Sequence, residues 1–337
     1  MDLMRAARLH IPSRTLTIED VPRPVPGPWQ VLVKVAAAGV CMSDVHLIDG
    51  TLGRPRHLLD DTVTIGHEVA GTIVELGPEV SDWREGQRVV LQAGENRDGE
   101  TYTRGVDYDG GWAEYTVAAM DSVFALPDSI PFEQAAIIPD AVSTPWGAIV
   151  HTGEVRPAEA AGVWGVGGLG AHAVQVLRAV GAYPIVAVDP VPAARERALA
   201  LGADLALDPR DRTIKDQVLF LTRGAGLNAA FDFAGSSSVY DQALSVLGPE
   251  GRLVIVGLSG RPLTIRDSTT FSYMKHRIIG HFGSTAEVVP QLVDLVENGR
   301  LDFSRSITDV LPLAKASVAV QRMHTKEGNP LRLILQP

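Results

Sequence analysis

The chain of 337 residues holds a single cysteine, Cys41. One thiol cannot close an intramolecular disulfide, which excludes a disulfide-stapled secreted scaffold and fits a reducing, cytoplasmic compartment. Positive charge is also scarce. Thirty Lys and Arg face 40 Asp and Glu, for a net charge of −10. That balance argues against nucleic acid and against an anionic membrane surface as partners, since both require a basic patch. No apolar run approaches the roughly 20 residues needed to cross a bilayer. The opening stretch "MDLMRAARLH" lacks the apolar core of a signal peptide. What is present is 45% hydrophobic residues, ample for two cores in a chain of this length.

The texture changes near residue 150. Before it, "TLTIEDV", "QVLVKVAAAGV", "TVTIGHEVAGTIVELG" and "GQRVVLQA" are β-like runs punctuated by Pro and Gly. They predict a mostly antiparallel β domain. From residue 161, strand-like and helix-like segments alternate: "AGVWG", "GLGAHAVQVLRAVGA", "YPIVAVD", "AARERALALGA", "DLALD" and "LNAAFDFAG". A helix from about Val239 to Leu247, then "GRLVIVG" and "RIIGHFG", continues the pattern. Such spacing predicts βαβ units and a doubly wound parallel sheet. Two helical stretches, "AEVVPQLVDLVENG" and "AKASVAVQRMHTKEG", and a closing strand "LRLILQ" follow, a tail placed to rejoin the first domain. The expected division is 1–145, 146–284 and 285–337, an α/β chain whose parallel-sheet domain is inserted after a β-rich one.

In "VWGVGGLGAHAV", Gly165, Gly167 and Gly170 form a G-x-G-x-x-G frame that leaves a strand and opens a helix. The mechanism of dinucleotide binding needs that context. Gly165 permits the tight turn, Gly167 lets backbone N–H groups reach a pyrophosphate, and Gly170 lets helix and sheet pack closely. Gly168 and Leu169 complete the loop at the helix N-terminus, where free N–H groups attract anions. Asp189 ends the next strand, placed to accept hydrogen bonds from an adenosine ribose. A carboxylate there repels the 2′-phosphate of NADP. Pro190, Val191 and Pro192 follow with no Arg until Arg195, so NAD is favoured over NADP.

Cys41 sits in "GVCMSDVHLIDG". A lone thiol is a small buried hydrophobe, a nucleophile served by a base, or a metal ligand. His67 and Glu68, in "GHEVAGTIVELGPEV", add an imidazole and a carboxylate in the same β-rich half. A catalytic zinc takes three protein ligands and keeps a fourth position open.

With these stretches, and with "DGGWAEY" and "IIPDAVST", the sequence resembles the zinc-dependent medium-chain alcohol dehydrogenases along essentially its whole length. Gly66, His67, Glu68, Gly71, Gly77 and Val80 match the family's signature. The resemblance implies a GroES-like catalytic domain joined to a Rossmann domain. It implies Cys41, His67 and Asp140 as ligands of one zinc per chain. It makes Glu68 an acid beside the metal, Asp44 the residue orienting the zinc-binding histidine, Ser43 the acceptor of the alcohol proton and His46 its outlet. Thr144 falls where the family touches the nicotinamide, and Arg332 where a late arginine meets the pyrophosphate. The implied activity is interconversion of an alcohol, a secondary one for preference, with its carbonyl, in a homodimer or homotetramer joined through the parallel-sheet domain. "LQAGENRDGETYTRGVDYDGG" contains none of the four cysteines with which many relatives hold a structural zinc. A zinc-free enone or quinone reductase, or a member without turnover, accounts less well for the retained ligands.

Overall fold

The computed structural model describes residues 2–97, 99–259, 262–284 and 286–337. Chain contacts divide it into two compact units, Met1–Ala141 with Ser284–Pro337, and Val142–Gly283. The first boundary falls at Ala141 rather than after residue 145. It lies inside helical backbone running from Phe132 to Thr152, so no change of composition marks it.

The first unit opens with β1 (Leu3–His10) and β2 (Thr15–Pro22), paired antiparallel, then β3 (Gln30–Val40) and α1 (Met42–Asp49). β4 (Thr62–Thr64) joins β1, whereas β5 (Val69–Leu76) joins β3 and β6 (Arg88–Leu91) in a second sheet. The run "TVTIGHEVAGTIVELG" is therefore two strands in two sheets, not one. Gly66 causes the break: its φ of 100° suits no L side chain, and a Cβ there would overlap the Trp112 indole. The four residues Ile65–Glu68 leave extended pairing and carry His67 and Glu68 inward. β7 (Gly94–Arg97) and β8 (Glu100–Thr103) form a hairpin, and β9 (Tyr115–Ala119) and β10 (Val123–Ala125) return to the second sheet. α2 (Phe132–Ala136) leads into a π-helical turn, Ile138–Val142.

The second unit begins with α3 (Ser143–Trp146). Its strands β11 (Ala161–Trp164), β12 (Ile185–Val188), β13 (Leu205–Leu207), β14 (Leu227–Asp232), β15 (Leu247–Ile255) and β16 (Arg277–Gly280) form one parallel sheet in the order β13-β12-β11-β14-β15-β16. α4 (Gly170–Val180), α5 (Pro192–Ala200), α6 (Ile214–Leu221), α7 (Ser237–Val246) and α8 (Ser268–Tyr273) alternate with them. All four residues of both β11 and β12 are buried. Strands covered on both faces are continuously apolar rather than alternating, as these are. The order reverses between β11 and β12 on one side and β14 on the other, which is where doubly wound sheets bind ligands.

The chain then returns to the first unit through α9 (Val289–Glu297), β17 (Ile307–Pro312), α10 (Ala316–Thr325) and β18 (Arg332–Gln336). β18 pairs antiparallel with the end of β3, Leu333 opposite Val40. This register sets Arg332 beside Cys41, next along the chain from β3. The core beneath gathers Leu9, Val33, Ile73, Trp112 and Leu335, all at most 1% exposed. Trp112 Nε1 donates to Gly39 O at 2.9 Å, satisfying its one polar atom.

Candidate metal centre and dinucleotide cradle

Cys41 is the last residue before α1, and its sulfur is buried beside the acid of the π-helical turn. Cys41 Sγ lies 3.3 Å from Asp140 Oδ2, and His67 Nε2 lies 3.5 Å from the same oxygen. One ligand atom from each of the three side chains falls within 4.8 Å of the others. Ligands 2.0–2.3 Å from a tetrahedral zinc stand roughly 3.3–3.8 Å apart, so this sulfur, nitrogen and oxygen fit one such ion. The donor types fit too, since thiolate, imidazole and carboxylate all bind zinc.

Asp44 holds two of these ligands at once. Its Oδ2 accepts the Cys41 backbone N–H at 2.8 Å. Its Oδ1 lies 3.3 Å from His67 Nδ1, in ion-pair range though off the ideal hydrogen-bond line. That contact leaves Nε2 as the ligating nitrogen. Burial depresses the His67 imidazole, but Asp44, Asp140 and Cys41 outweigh it and raise the proton affinity well above the usual value. The cluster is built to hold a positive charge.

Glu68 is fully buried and faces Arg332, Oε1 to Nη2 at 3.2 Å. Burial raises the Glu68 carboxyl, Arg332 pulls it down, and Asp140 raises it further. The net shift is upward, so this carboxyl holds a proton more readily than a free glutamate does. A Cβ on Gly39 would overlap the Glu68 carboxylate, so the glycine at the end of β3 makes room for it. Arg332, expected at a pyrophosphate, is 1% exposed; its Nη2 also approaches Cys41 Sγ at 3.7 Å and Asp140 Oδ2 at 3.8 Å. No local pattern signals this pairing, because Arg332 and Glu68 meet through the β18–β3 register.

Ser43 Oγ sits 3.6 Å from Cys41 Sγ. His46 follows on the next turn of α1, half-buried. Positions three apart share one helix face, so hydroxyl and imidazole form a row leading from the cluster. Thr144 lies on α3 of the second unit, 4% exposed.

In the second unit, Gly165 turns the chain out of β11 with φ 85°. Gly167 has open space where a Cβ would be, and a Cβ on Gly170 would overlap Gly165 O. Asp189 follows directly on β12, 8% exposed, and both its oxygens are engaged: Oδ2 accepts from Val166 N and Oδ1 from Val191 N, each at 2.8 Å. Arg195 reaches Asp189 only at its backbone, Nη1 to O at 2.8 Å, leaving the carboxylate uncompensated by that side chain.

Comparison with known proteins agrees with this geometry. The family description "Alcohol dehydrogenase GroES-like domain" matches residues 27–128 and "Zinc-binding dehydrogenase" matches 168–298. An NAD-dependent alcohol dehydrogenase of Sulfurisphaera tokodaii is 30% identical, over 95% of this chain and 96% of its own. An L-threonine 3-dehydrogenase of Pyrococcus horikoshii is 30% identical over 88% of each. The crystal structure of 2R,3R-butanediol dehydrogenase from Bacillus subtilis superposes with a TM-score of 0.90 at 26% identity, covering 99% of both chains. With both halves matched and relatives aligned nearly end to end, the chain belongs to the zinc-dependent medium-chain alcohol dehydrogenase family, as a member whose lone cysteine excludes the four-thiol structural zinc of many relatives.

Proposed function

We propose that this protein is an NAD-linked zinc alcohol dehydrogenase that interconverts a secondary alcohol and its ketone in the cytoplasm. The observation that carries the reading is the convergence of Cys41, His67 and Asp140 on one point. A zinc ion there would acidify a bound alcohol and, in the reverse direction, polarise a carbonyl. A nicotinamide cofactor, held by Thr144 and the Gly165–Gly170 turn, would supply the hydride acceptor for the carbinol carbon. The chain's own residues handle the proton and the charge. Ser43 receives the hydroxyl proton, and His46, one turn along α1, passes it outward. Asp44 fixes the Cys41 backbone and the His67 ring, so two of the three protein ligands would keep their directions around a bound metal. Glu68 and Arg332 place a compensating pair beside the ligands, tempering the charge change as the alcohol proton leaves.

The preference for a secondary carbon is supported by relatives whose names denote such carbons, position 3 of threonine and 2R,3R-butanediol. The preference for NAD is supported by the Asp189 carboxylate at the end of β12 and by the NAD-dependent relative. Thr144 is assigned to the nicotinamide, and Gly165 to Gly170 to the diphosphate.

The test is a panel of primary and secondary alcohols scored by NADH absorbance, run beside metal analysis. The expected result is close to one zinc per chain, turnover lost on chelation, and the highest kcat/KM on a secondary alcohol. Cys41→Ala and Asp140→Ala should both lose zinc and turnover while still binding NADH. Ser43→Ala should keep zinc and lose about 100-fold in kcat, the lower range for a positioned proton acceptor. A metal-free preparation with full activity would overturn the reading.

A further inference from the structure

The glycine turn has little to hold it. Gly165, Gly167 and Gly168 supply no side chain, and the space around a Cβ on Gly167 is open. Such a segment loses more conformational freedom on ordering than any other. Two supports come from below. Asp189 Oδ2 accepts from Val166 N at 2.8 Å, and Arg197 Nη2 donates to Val166 O at 3.0 Å. Both grip Val166, while Ala171 N donates to Gly167 O at 3.0 Å and Ala173 N to Leu169 O at 2.9 Å, which leaves the Gly168 carbonyl to something else.

That something is His172, on the first turn of α4 and 0% exposed. Its Nδ1 lies 2.6 Å from Gly168 O. A carbonyl oxygen only accepts, so Nδ1 carries the hydrogen and the tautomer is fixed. The bond points the Gly168 carbonyl toward the helix. A trans peptide is planar, with N–H and C=O directed oppositely. The Leu169 N–H, in the same plane, must then point away from the helix body. Above the N-terminus of a helix, that is where an anion is held.

We propose that His172 is a positioning residue of the phosphate cradle, its Nδ1–H bond to Gly168 O aiming the Leu169 N–H at the diphosphate of the dinucleotide. The inference rests on the dinucleotide reading above and goes beyond it, because His172 touches no cofactor atom itself. It also makes a division of labour. Asp189 and Arg197 fix the turn, while His172 fixes the peptide that faces the charge.

The test uses the zinc-loaded protein and three ligands: NADH, ADP-ribose and adenosine. His172→Phe keeps a buried ring and removes the donor; His172→Asn keeps a donor near the Nδ1 position. For His172→Phe the expected result is an affinity for NADH and for ADP-ribose about tenfold weaker, the size of one misdirected N–H to a charged phosphate. Adenosine, which has no phosphate, should inhibit as before, with kcat at saturating NAD and the zinc content unchanged. His172→Asn should restore most of the loss. If Phe is not accommodated, His172→Leu makes the same comparison. Unchanged ADP-ribose affinity in the donor-free variant would overturn the proposal. So would an equal loss for adenosine, which would assign His172 to packing alone. A wild-type protein that binds neither NADH nor ADP-ribose would instead overturn the dinucleotide reading itself.

Discussion

Asp232 carries an unusual load for one side chain. It ends β14, is 0% exposed, and its Oδ1 accepts from Ala234 N at 2.8 Å and Gly235 N at 3.1 Å. Its Oδ2 is buried with no hydrogen-bond partner among the described residues. Burial raises this carboxyl to about 6 against the two backbone bonds that pull it down. The native state therefore holds the proton in a window where the unfolded chain, near the ordinary 3.8, has released it. Stability from this group is fully present below that lower value and is lost as pH rises through about 6. The full effect is on the order of 3 kcal/mol for a shift of this size. Asp232→Asn removes the titration and can still accept both backbone bonds. Its Tm should gain on the wild type as pH rises from 4 to 6 and keep a constant difference above 6. A difference independent of pH would show that Asp232 is not titrating there. Individual residues of this kind were the least legible in the sequence. Cys41, His67 and Asp140 announced themselves through motif and resemblance. Asp232 and Arg332 did not, because what makes them special is an environment assembled by strand register.

At the scale of elements, strands and helices with their own strong pattern were read with close boundaries. The predicted run "QVLVKVAAAGV" is β3 residue for residue, and the helix expected from Val239 to Leu247 spans Ser237–Val246. Failures came where a distant side chain decides. The break at Gly66 depends on Trp112, and the π-helical turn bearing Asp140 has no periodicity of its own. The cysteine-free lobe is the clearest case. "LQAGENRDGETYTRGVDYDGG" reads as a loop, yet it contains the β7–β8 hairpin closed on a buried guanidinium. Arg104, 0% exposed, donates to Val117 O at 2.9 Å, Glu95 Oε1 at 3.2 Å and Thr116 Oγ1 at 3.3 Å, and its Cζ lies 5.3 Å from the Tyr108 ring centre. Where relatives use a zinc and four thiolates, this lobe uses one arginine and its acceptors. Arg104→Met would leave Glu95 to Arg97 alone, 3.0 Å from its other oxygen, and would strip Val117 O and Thr116 Oγ1 of their donor, a loss below the roughly 3–5 kcal/mol of a wholly unpaired buried ion. The expected outcome is a Tm lower by roughly 5 °C with the zinc content still near one per chain. An unaltered Tm would show that the lobe is held by other contacts.

For the whole molecule, the sequence disclosed two cores and the order in which the chain visits them, because alternation of strand and helix is a long-range pattern that survives local error. It disclosed less about association, which depends on what the folded surface leaves uncovered. Among the described residues no helix is long and apolar enough to cross a membrane. The uncovered surface includes β16, one of the two edge strands of the parallel sheet, paired among the described residues with β15 alone. Unpaired outer strands present a free row of N–H and C=O groups, a template that proteins either block or use. No Pro or Lys lies within Arg277–Gly280, and its one charged side chain is the exposed Arg277. Tyr273 and Phe282, flanking the strand on either side, are 84% and 82% exposed, and Leu258 and Leu263 are also open. For the homo-oligomer that the family resemblance implies, the prediction to test is pairing of this edge with the same edge of a second copy. Light scattering on the eluting protein should give at least twice the 36.0 kDa of one chain. Phe282→Arg with Tyr273→Arg would place like charges opposite each other across the two-fold axis, because an isologous contact repeats every substitution. The double variant should shift to the single-chain mass while keeping zinc and its melting profile within each unit. Retention of the larger mass would move the interface elsewhere on the surface, and a wild-type protein of single-chain mass at micromolar concentration would remove the assignment altogether.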